Sequence, residues 1–256
     1  MIVIKNKSAL AKMRQAGKLL APIVEQACKI SVSGVSTAEV DAWIETELRK
    51  AGMVPRAKGY KGYKHVSCIS VNDVVVHGVP SKDVILKPGD MVTIDVCASW
   101  KDYCADMARC FFVDGKVSSP QSKKLVEVAQ KALDIGIACM VPGKRLSDIS
   151  SAIQQEVESH GFGVIRDFAG HGIGKRMHEE PEVVNYGKPG KGPLLVPGMV
   201  LALEPMISLG DYKVKIVKDG WSAKMADGSL AAHVEDTVVI TKQGPEILTR
   251  LSKEDI

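Results

Sequence analysis

Five residues of this 256-residue chain are acids or an imidazole set into apolar or glycine-rich surroundings. Asp95 interrupts Met91-Val92-Thr93-Ile94-Asp95-Val96-Cys97, and Asp106 lies in Cys104-Ala105-Asp106-Met107. His171 sits in Gly170-His171-Gly172-Ile173-Gly174, Glu204 follows Leu201-Ala202-Leu203, and Glu235 lies in His233-Val234-Glu235-Asp236-Thr237. An ionised carboxylate buried in a strand is costly unless something neutralises it. Metal ions do that well, and four carboxylates suffice for two of them. Each residue taken singly also has a plainer reading. An acid in a strand is ordinarily on a solvated face or in a local salt bridge, and a histidine between glycines is often a loop residue. The ordered set, in a chain with no compensating buried arginine evident, leaves a metal centre and a series of unrelated polar positions both open.

The segment Gly170–Gly174 carries neither a Walker lysine pattern nor the dinucleotide fingerprint GxGxxG after a first strand. Its glycines are expected to let the backbone pass close to a ligand beside the imidazole. His77 and His178 flank turns, in Val76-His77-Gly78 and Met177-His178-Glu179-Glu180-Pro181, and either one alone reads as a surface or packed histidine.

The elements that must position these residues follow from periodicity. Ser8 precedes a helical pattern with Leu10, Met13, Leu20, Val24 and Ala27 on one broad face. Ser36 and Glu39 form a capping box for a second helix with a Val40, Ile44 and Leu48 stripe, and Gly52 suits its left-handed C-terminal cap. Segments rich in β-branched residues follow at 66–71, 74–77, 91–98 and 105–113. The order then recurs. Ser119-Pro120 opens a third helix, a fourth begins near Ser147 and ends at Gly161, and strand-like segments return at 163–168, 199–204 and 233–241. A shift of 109 residues carries Gly34 onto Gly143, Val40 onto Ile149, Ile44 onto Ile153, Leu48 onto Val157 and Gly52 onto Gly161. The pattern predicts an α+β protein of two related halves, about residues 8–115 and 116–245, around a shared sheet, with the ligand cleft between them.

Composition bounds the rest. Hydrophobic residues make up 45% and charged residues 25%, and the formal charge is +4 with spread lysines, which argues against dedicated nucleic-acid binding. No apolar run is long enough to span a bilayer, and the N-terminus lacks the pattern of a signal peptide, so a cytoplasmic protein is expected. Cys28, Cys68, Cys97, Cys104, Cys110 and Cys139 form no CxxC pair and read as free thiols in a reducing compartment.

The ordered set Asp95, Asp106, His171, Glu204 and Glu235 resembles the metal ligands of the pita-bread metallopeptidases, and is most similar to the type I methionine aminopeptidases. The resemblance runs from Met13-Arg14-Gln15-Ala16-Gly17 to Pro245-Glu246-Ile247-Leu248. It includes Gly59-Tyr60-Lys61-Gly62-Tyr63, Ser70-Val71-Asn72-Asp73, His77-Gly78-Val79-Pro80, His178-Glu179-Glu180-Pro181 and Glu204-Pro205-Met206. It implies the pita-bread fold in a single catalytic domain over 1–256, and two divalent ions (Mn, Fe, Co or Zn). Asp95 would hold one ion and His171 the other, with Asp106 and Glu235 bridging and Glu204 completing the set. His178 would donate to the carbonyl oxygen that becomes negative, Glu204 would shuttle the proton, and His77 would contact the peptide nitrogen beyond the first residue. Tyr60, Tyr63, Cys68, Met177 and Trp221 would line a methionine pocket, which suits a flexible thioether.

Asn72, Val74 and Ser229 match positions that hold a monovalent cation in some relatives. The implied reaction removes the initiator methionine from nascent proteins and peptides with a small second residue. A monomer in transient contact with the ribosome is expected. Some positions depart from the family's pattern. Met177 is often phenylalanine, Ala57 replaces a cysteine of some members, and Asp236 stands where many carry histidine, adding a carboxylate expected just behind the metal ligands. An Xaa-Pro peptidase of the same fold usually has a separate N-terminal domain, for which the chain has no room before Ser8. A peptide-binding relative without activity would typically have lost metal ligands.

Overall fold

Asn6, not Ser8, starts the first helix: its side-chain oxygen accepts from Ala9 N at 2.9 Å and caps α1 (Lys7–Ile30). The computed structural model describes residues 1–251. Ser36 and Glu39 exchange side-chain bonds with each other's backbone N–H groups to cap α2 (Thr37–Lys50), and Gly52 adopts φ +67° just past its end. Short strands β1 (Val54–Pro55), β2 (Cys68–Val71) and β3 (Val74–Val76) follow, then the long hairpin of β4 (Met91–Trp100) and β5 (Tyr103–Phe112). Helices α3 (Pro120–Ala138) and α4 (Leu146–Ser159) open the second half. Ten strands complete it: β6 (Gly163–Val164), β7 (Gly170–Gly172), β8 (Glu179–Val183), β9 (Val200–Leu203), β10 (Met206–Ser208), β11 (Val214–Ile216), β12 (Ala223–Met225), β13 (Ala231–His233), β14 (Glu235–Thr241) and β15 (Gly244–Ile247). The strand expected over 163–168 stops at Val164, and 165–169 is irregular.

The 109-residue shift extends beyond the helices. It carries the limits of α2 onto those of α4, the isolated bridge Ser36–Ile85 onto Arg145–Leu194, and the bond from Gly34 N to Leu86 O onto that from Gly143 N to Leu195 O. Carried into the sheet, it maps Gly89 onto Gly198, both at positive φ, and Asp95 onto Glu204. The central sheet runs β1-β4-β5-β14-β9-β7-β8 with antiparallel ladders, β2 adding to β4 and β15 to β14. The first helix pair packs Leu20, Val24, Val40, Ile44 and Leu48 against Val92, Ile94 and Val96; the second packs Leu125, Leu133, Ile149 and Ile153 against Leu201, Leu203 and Val238. The period of two along each strand then turns the intervening residues of β4 and β5 to the opposite face.

Candidate metal centre

Register alone puts the five residues on that opposite face. Asp95 of β4 and Glu235 of β14 pair with Ala108 of β5 from either side, so the three form one row. Asp106 lies two residues before Ala108, and His171 pairs with Ala202, two residues before Glu204. Residues directly opposite, or two apart on one strand, share a face. Ala108 and Ala202, small and buried, leave a hollow between the larger polar side chains.

Asp106 and Glu235 are 5% and 2% exposed, so bulk water does not solvate them. Asp106 Oδ1 and Glu235 Oε1 have no hydrogen-bond partner. The ion-pair contacts of Asp106, Glu204 and Glu235 among the described residues are to imidazoles: His171 Nε2 stands 3.6 Å from Glu204 Oε1 and 3.9 Å from Asp106 Oδ2. Burial raises Asp106 to about 6. Burial, and then the charge of Asp106, drives Asp95 and Glu235 well above the usual carboxylate range. Glu204 is raised in the same way, with Asp95 the next cause. Burial lowers His171 to about 4, which keeps it a neutral imidazole at neutral pH, and its Nδ1 stands 2.9 Å from Gly172 O. Donation from Nδ1–H to that carbonyl leaves Nε2 free for a cation. Unpaired buried oxygens, mutually repelling carboxylates and one oriented neutral imidazole fit divalent metal ions.

The sheet holds these groups by specific bonds. Asp106 N donates to Thr237 Oγ1 at 2.9 Å and Thr237 Oγ1 donates back to Asp106 O at 2.8 Å. Asn185 Nδ2 donates to Glu204 O at 2.9 Å. Asp41, on α2, accepts from Val66 N, Ser67 N and Ser67 Oγ, fixing the loop before Cys68.

A cavity of about 770 Å³ opens over the centre, lined by Asp95, Asp106, His171, Glu204 and Glu235 and also by Tyr60, Tyr63, Cys68, His77, Met177, His178 and Trp221. Every residue expected to bind metal or touch the methionyl substrate therefore faces one space. His178, at the exposed mouth, has its ring 4.4 Å from that of His171 and Nδ1 3.2 Å from the Tyr60 hydroxyl. Burial, then His178, lowers His77 to about 4. The Tyr63 and Trp221 rings meet edge-on at 5.0 Å, and the Tyr63 hydroxyl donates to Ser67 O. Asn72, Val74 and Ser229 lie outside this lining. The Asn72 carbonyl accepts from Ala231 N, its side chain is taken by Asp90 and Met91 N, and the Ser229 hydroxyl is buried without a partner.

Two expectations are corrected. The glycines of 170–174 make room for protein, not for a ligand: a Cβ on Gly170 would collide with the Ala202 carbonyl, on Gly172 with that of Glu180, and on Gly174 with the Glu179 carboxylate at 2.6 Å. Asp236 is not behind the residues expected to bind metal. It alternates to the other face of β14, where its carboxylate accepts from Arg109, Arg250 and Thr249.

Phe168 and His233 are among the cavity-facing or centre-facing residues that the sequence analysis does not single out. Phe168 lines the cavity with its ring 5.3 Å from that of His77, in an irregular stretch with no periodic signal. His233 is buried beside Glu204 and Glu235, and its signal was available in the spacing His233-Val234-Glu235, which puts both on one strand face.

The fold and this acidic centre define a metallopeptidase: the sequence profile of metallopeptidase family M24 matches residues 11–242, and the chain belongs to that family. Within it, the chain is 47% identical to a methionine aminopeptidase of Clostridium acetobutylicum, over 97% of this chain and 99% of that one. It is 43% identical to methionine aminopeptidase 1 of Bacillus subtilis, over 98% and 100%. The crystal structure of methionine aminopeptidase from Thermotoga maritima superposes with a TM-score of 0.96 at 43% identity, covering 98% and 100%. The prolidase from Pyrococcus furiosus shares the pita-bread fold, with a TM-score of 0.79 at 24% identity over 98% of this chain and 66% of that one.

Proposed function

We propose that this chain is a metal-dependent methionine aminopeptidase that hydrolyses the first peptide bond of peptides and nascent proteins beginning with methionine. The single observation carrying the reading is the shared cavity, lined both by the acidic centre and by the aromatic and sulfur-bearing side chains. Relatives named for this activity, similar along nearly their whole length, support it.

Asp95, Asp106, His171, Glu204 and Glu235 hold two divalent ions in this reading. Bound ions supply Lewis acidity, lowering the pKa of water and polarising a carbonyl. Glu204, among the least enclosed of the carboxylates, takes the proton of the attacking water and passes it to the leaving amine. When the Tyr60 hydroxyl donates to His178 Nδ1, Nε2–H is left to donate to the scissile oxygen as its charge develops. His77 meets the nitrogen of the second residue. Tyr63, Cys68, Met177 and Trp221 enclose the thioether, with Cys68 kept a neutral thiol because burial and Asp95 raise it well above its usual value. The same reading assigns a small second residue, a monomer and cytoplasmic work at the ribosome. No helix among the described residues is long and apolar enough to cross a membrane.

The test is cleavage of Met-Ala-Ser beside Ala-Pro-Ser by metal-stripped protein resupplied separately with Mn, Co, Fe(II) or Zn. Metal-dependent release of methionine alone is the expected result. Release of alanine from the proline peptide would move the chain to the Xaa-Pro branch. Failure to cleave either with metal bound would leave a peptide-binding protein.

A further inference from the structure

His233 has no place in the ligand set above, yet it is 1% exposed and neither ring nitrogen has a hydrogen-bond partner. Buried polar groups are nearly always paired, and an exception needs a cause. The ring cannot turn away by a shift of its backbone: His233 pairs with Met206 across β10, and its carbonyl accepts from Thr93 Oγ1 at 3.2 Å.

The neighbours of its free nitrogen supply the cause. Nε2 stands 3.6 Å from Glu204 Oε2 and 4.0 Å from Glu235 Oε2. These spacings exceed a hydrogen bond but approach those of atoms that share an ion. Two donors each about 2.1 Å from a metal lie roughly 3.0–3.6 Å apart at angles of 90–120°. Ligand atoms of Glu204, His233 and Glu235 all fall within 4.8 Å of one another, as do those of Asp106, His171 and Glu235. Glu204 therefore faces an imidazole with each oxygen, Oε1 toward His171 and Oε2 toward His233, both at 3.6 Å.

We propose that His233 is a metal ligand, forming with Glu204 and Glu235 a cation position additional to the expected pair. One imidazole and two carboxylates suit Mn, Fe, Co or Zn. The position shares both carboxylates with the pair, and ions bound so close repel, so it fills last and most weakly. The proposal rests on the reading of the acidic cluster as a metal centre. It adds a consequence: an ion at His233 occupies Glu204 Oε2 and hinders the proton shuttle at excess metal.

The experiment titrates metal-stripped, full-length protein with Co(II) in water and counts the hyperfine-shifted, exchangeable imidazole N–H signals by proton NMR. The wild type is expected to show one signal at low loading, lost in His171→Gln, and a second at high loading. His233→Gln should keep the first signal, lose the second and lose the weakest step of the binding curve. Bound Co(II) with a single imidazole signal at saturation would overturn the proposal while leaving the metal centre standing; this is read on the wild type, whatever the folding of the variants. No Co(II) binding at all would overturn both.

Discussion

Glu235 and Asp236 are consecutive residues of one strand, 2% and 0% exposed, yet the molecule treats their charges in opposite ways. Asp236 is satisfied within the chain. Arg109 Nη2 donates to it at 3.0 Å, Arg250 Nε at 2.6 Å and Thr249 Oγ1 at 2.9 Å, while Arg109 also donates to the Glu235 and Thr249 carbonyls. Glu235 faces Asp95, Asp106 and Glu204 with one oxygen unpaired. A buried carboxylate matched by guanidinium groups ties the fold together; one matched by other carboxylates needs a cation from outside. Which group neutralises the charge separates a structural acid from a functional one, where burial and residue type do not.

The contrast is sharpest in paired substitutions. Glu235→Gln should lower turnover by more than about 10³-fold, since the polarising ions supply several kcal/mol. Metal content, read by elemental analysis, should fall in parallel; full occupancy would remove Glu235 from the ligand set. Asp236→Ala should leave metal content intact but lower stability by roughly 1–3 kcal/mol, because Arg109 and Arg250 lose their shared buried acceptor while keeping Glu25 and Asp134. Denaturant unfolding of the metal-stripped variant checks that figure, and a metal-binding defect without lost stability would erase the distinction drawn here. His178→Ala should reduce kcat about 10²–10³-fold with metal content preserved. Lost metal with unchanged turnover per bound ion would sink its role at the carbonyl oxygen.

The smallest effect is one of pH. With Asp106 raised to about 6 in the folded protein and ordinarily near 3.8, its proton stabilises the metal-free fold below about pH 4, and that contribution, on the order of 3 kcal/mol, is lost as pH rises through 6. His77 and His171, lowered by burial to about 4, act in the other direction, adding stability as pH rises toward 6.5. Metal binding displaces the carboxylate protons, so affinity should strengthen roughly tenfold per pH unit for each proton released. Calorimetric titrations near pH 5.5 and 7.5, in buffers of different ionisation heat, check this. An affinity independent of pH would mean that the carboxylates are already ionised in the metal-free protein.

Much of this arrangement is legible in the sequence. Asp95 and Glu204 stand out in the sequence as acids ending or interrupting apolar runs, where an ionised carboxylate needs something to neutralise it. The repeat was legible in α2 and α4 because capping residues, apolar stripe and terminal glycine recur together. Strands of three residues, such as β7, β10, β11 and β12, carry too few positions to show a period of two. The glycines beside His171 misled because a sequence shows that space is needed without showing what fills it; here it is the backbone of neighbouring strands. Asp236 is misleading for a simpler reason: adjacency along the chain suggests proximity in space, whereas one step along a strand reverses the face. His233 is legible only through its spacing: taken alone, a histidine in an apolar strand looks the same whether it packs or ligates, and only Glu235 two residues on places it on the acidic face.

The seam between the halves adds a mechanical consequence. The strands β5 and β14 that join them share two register pairs, Glu235 with Ala108 and Asp236 with Met107, continued by the Thr237 hydroxyl bonds to Asp106. Asp106 stands on one side of that short join and Glu235 on the other, so the stripped protein carries two buried acids there that only protons neutralise, whereas an ion held by both would staple the join shut. Chelation should then do more than silence a reaction. Amide hydrogens along β5 and β14 would be expected to exchange sooner than those under the helices, and the molecule should open along its own line of internal symmetry.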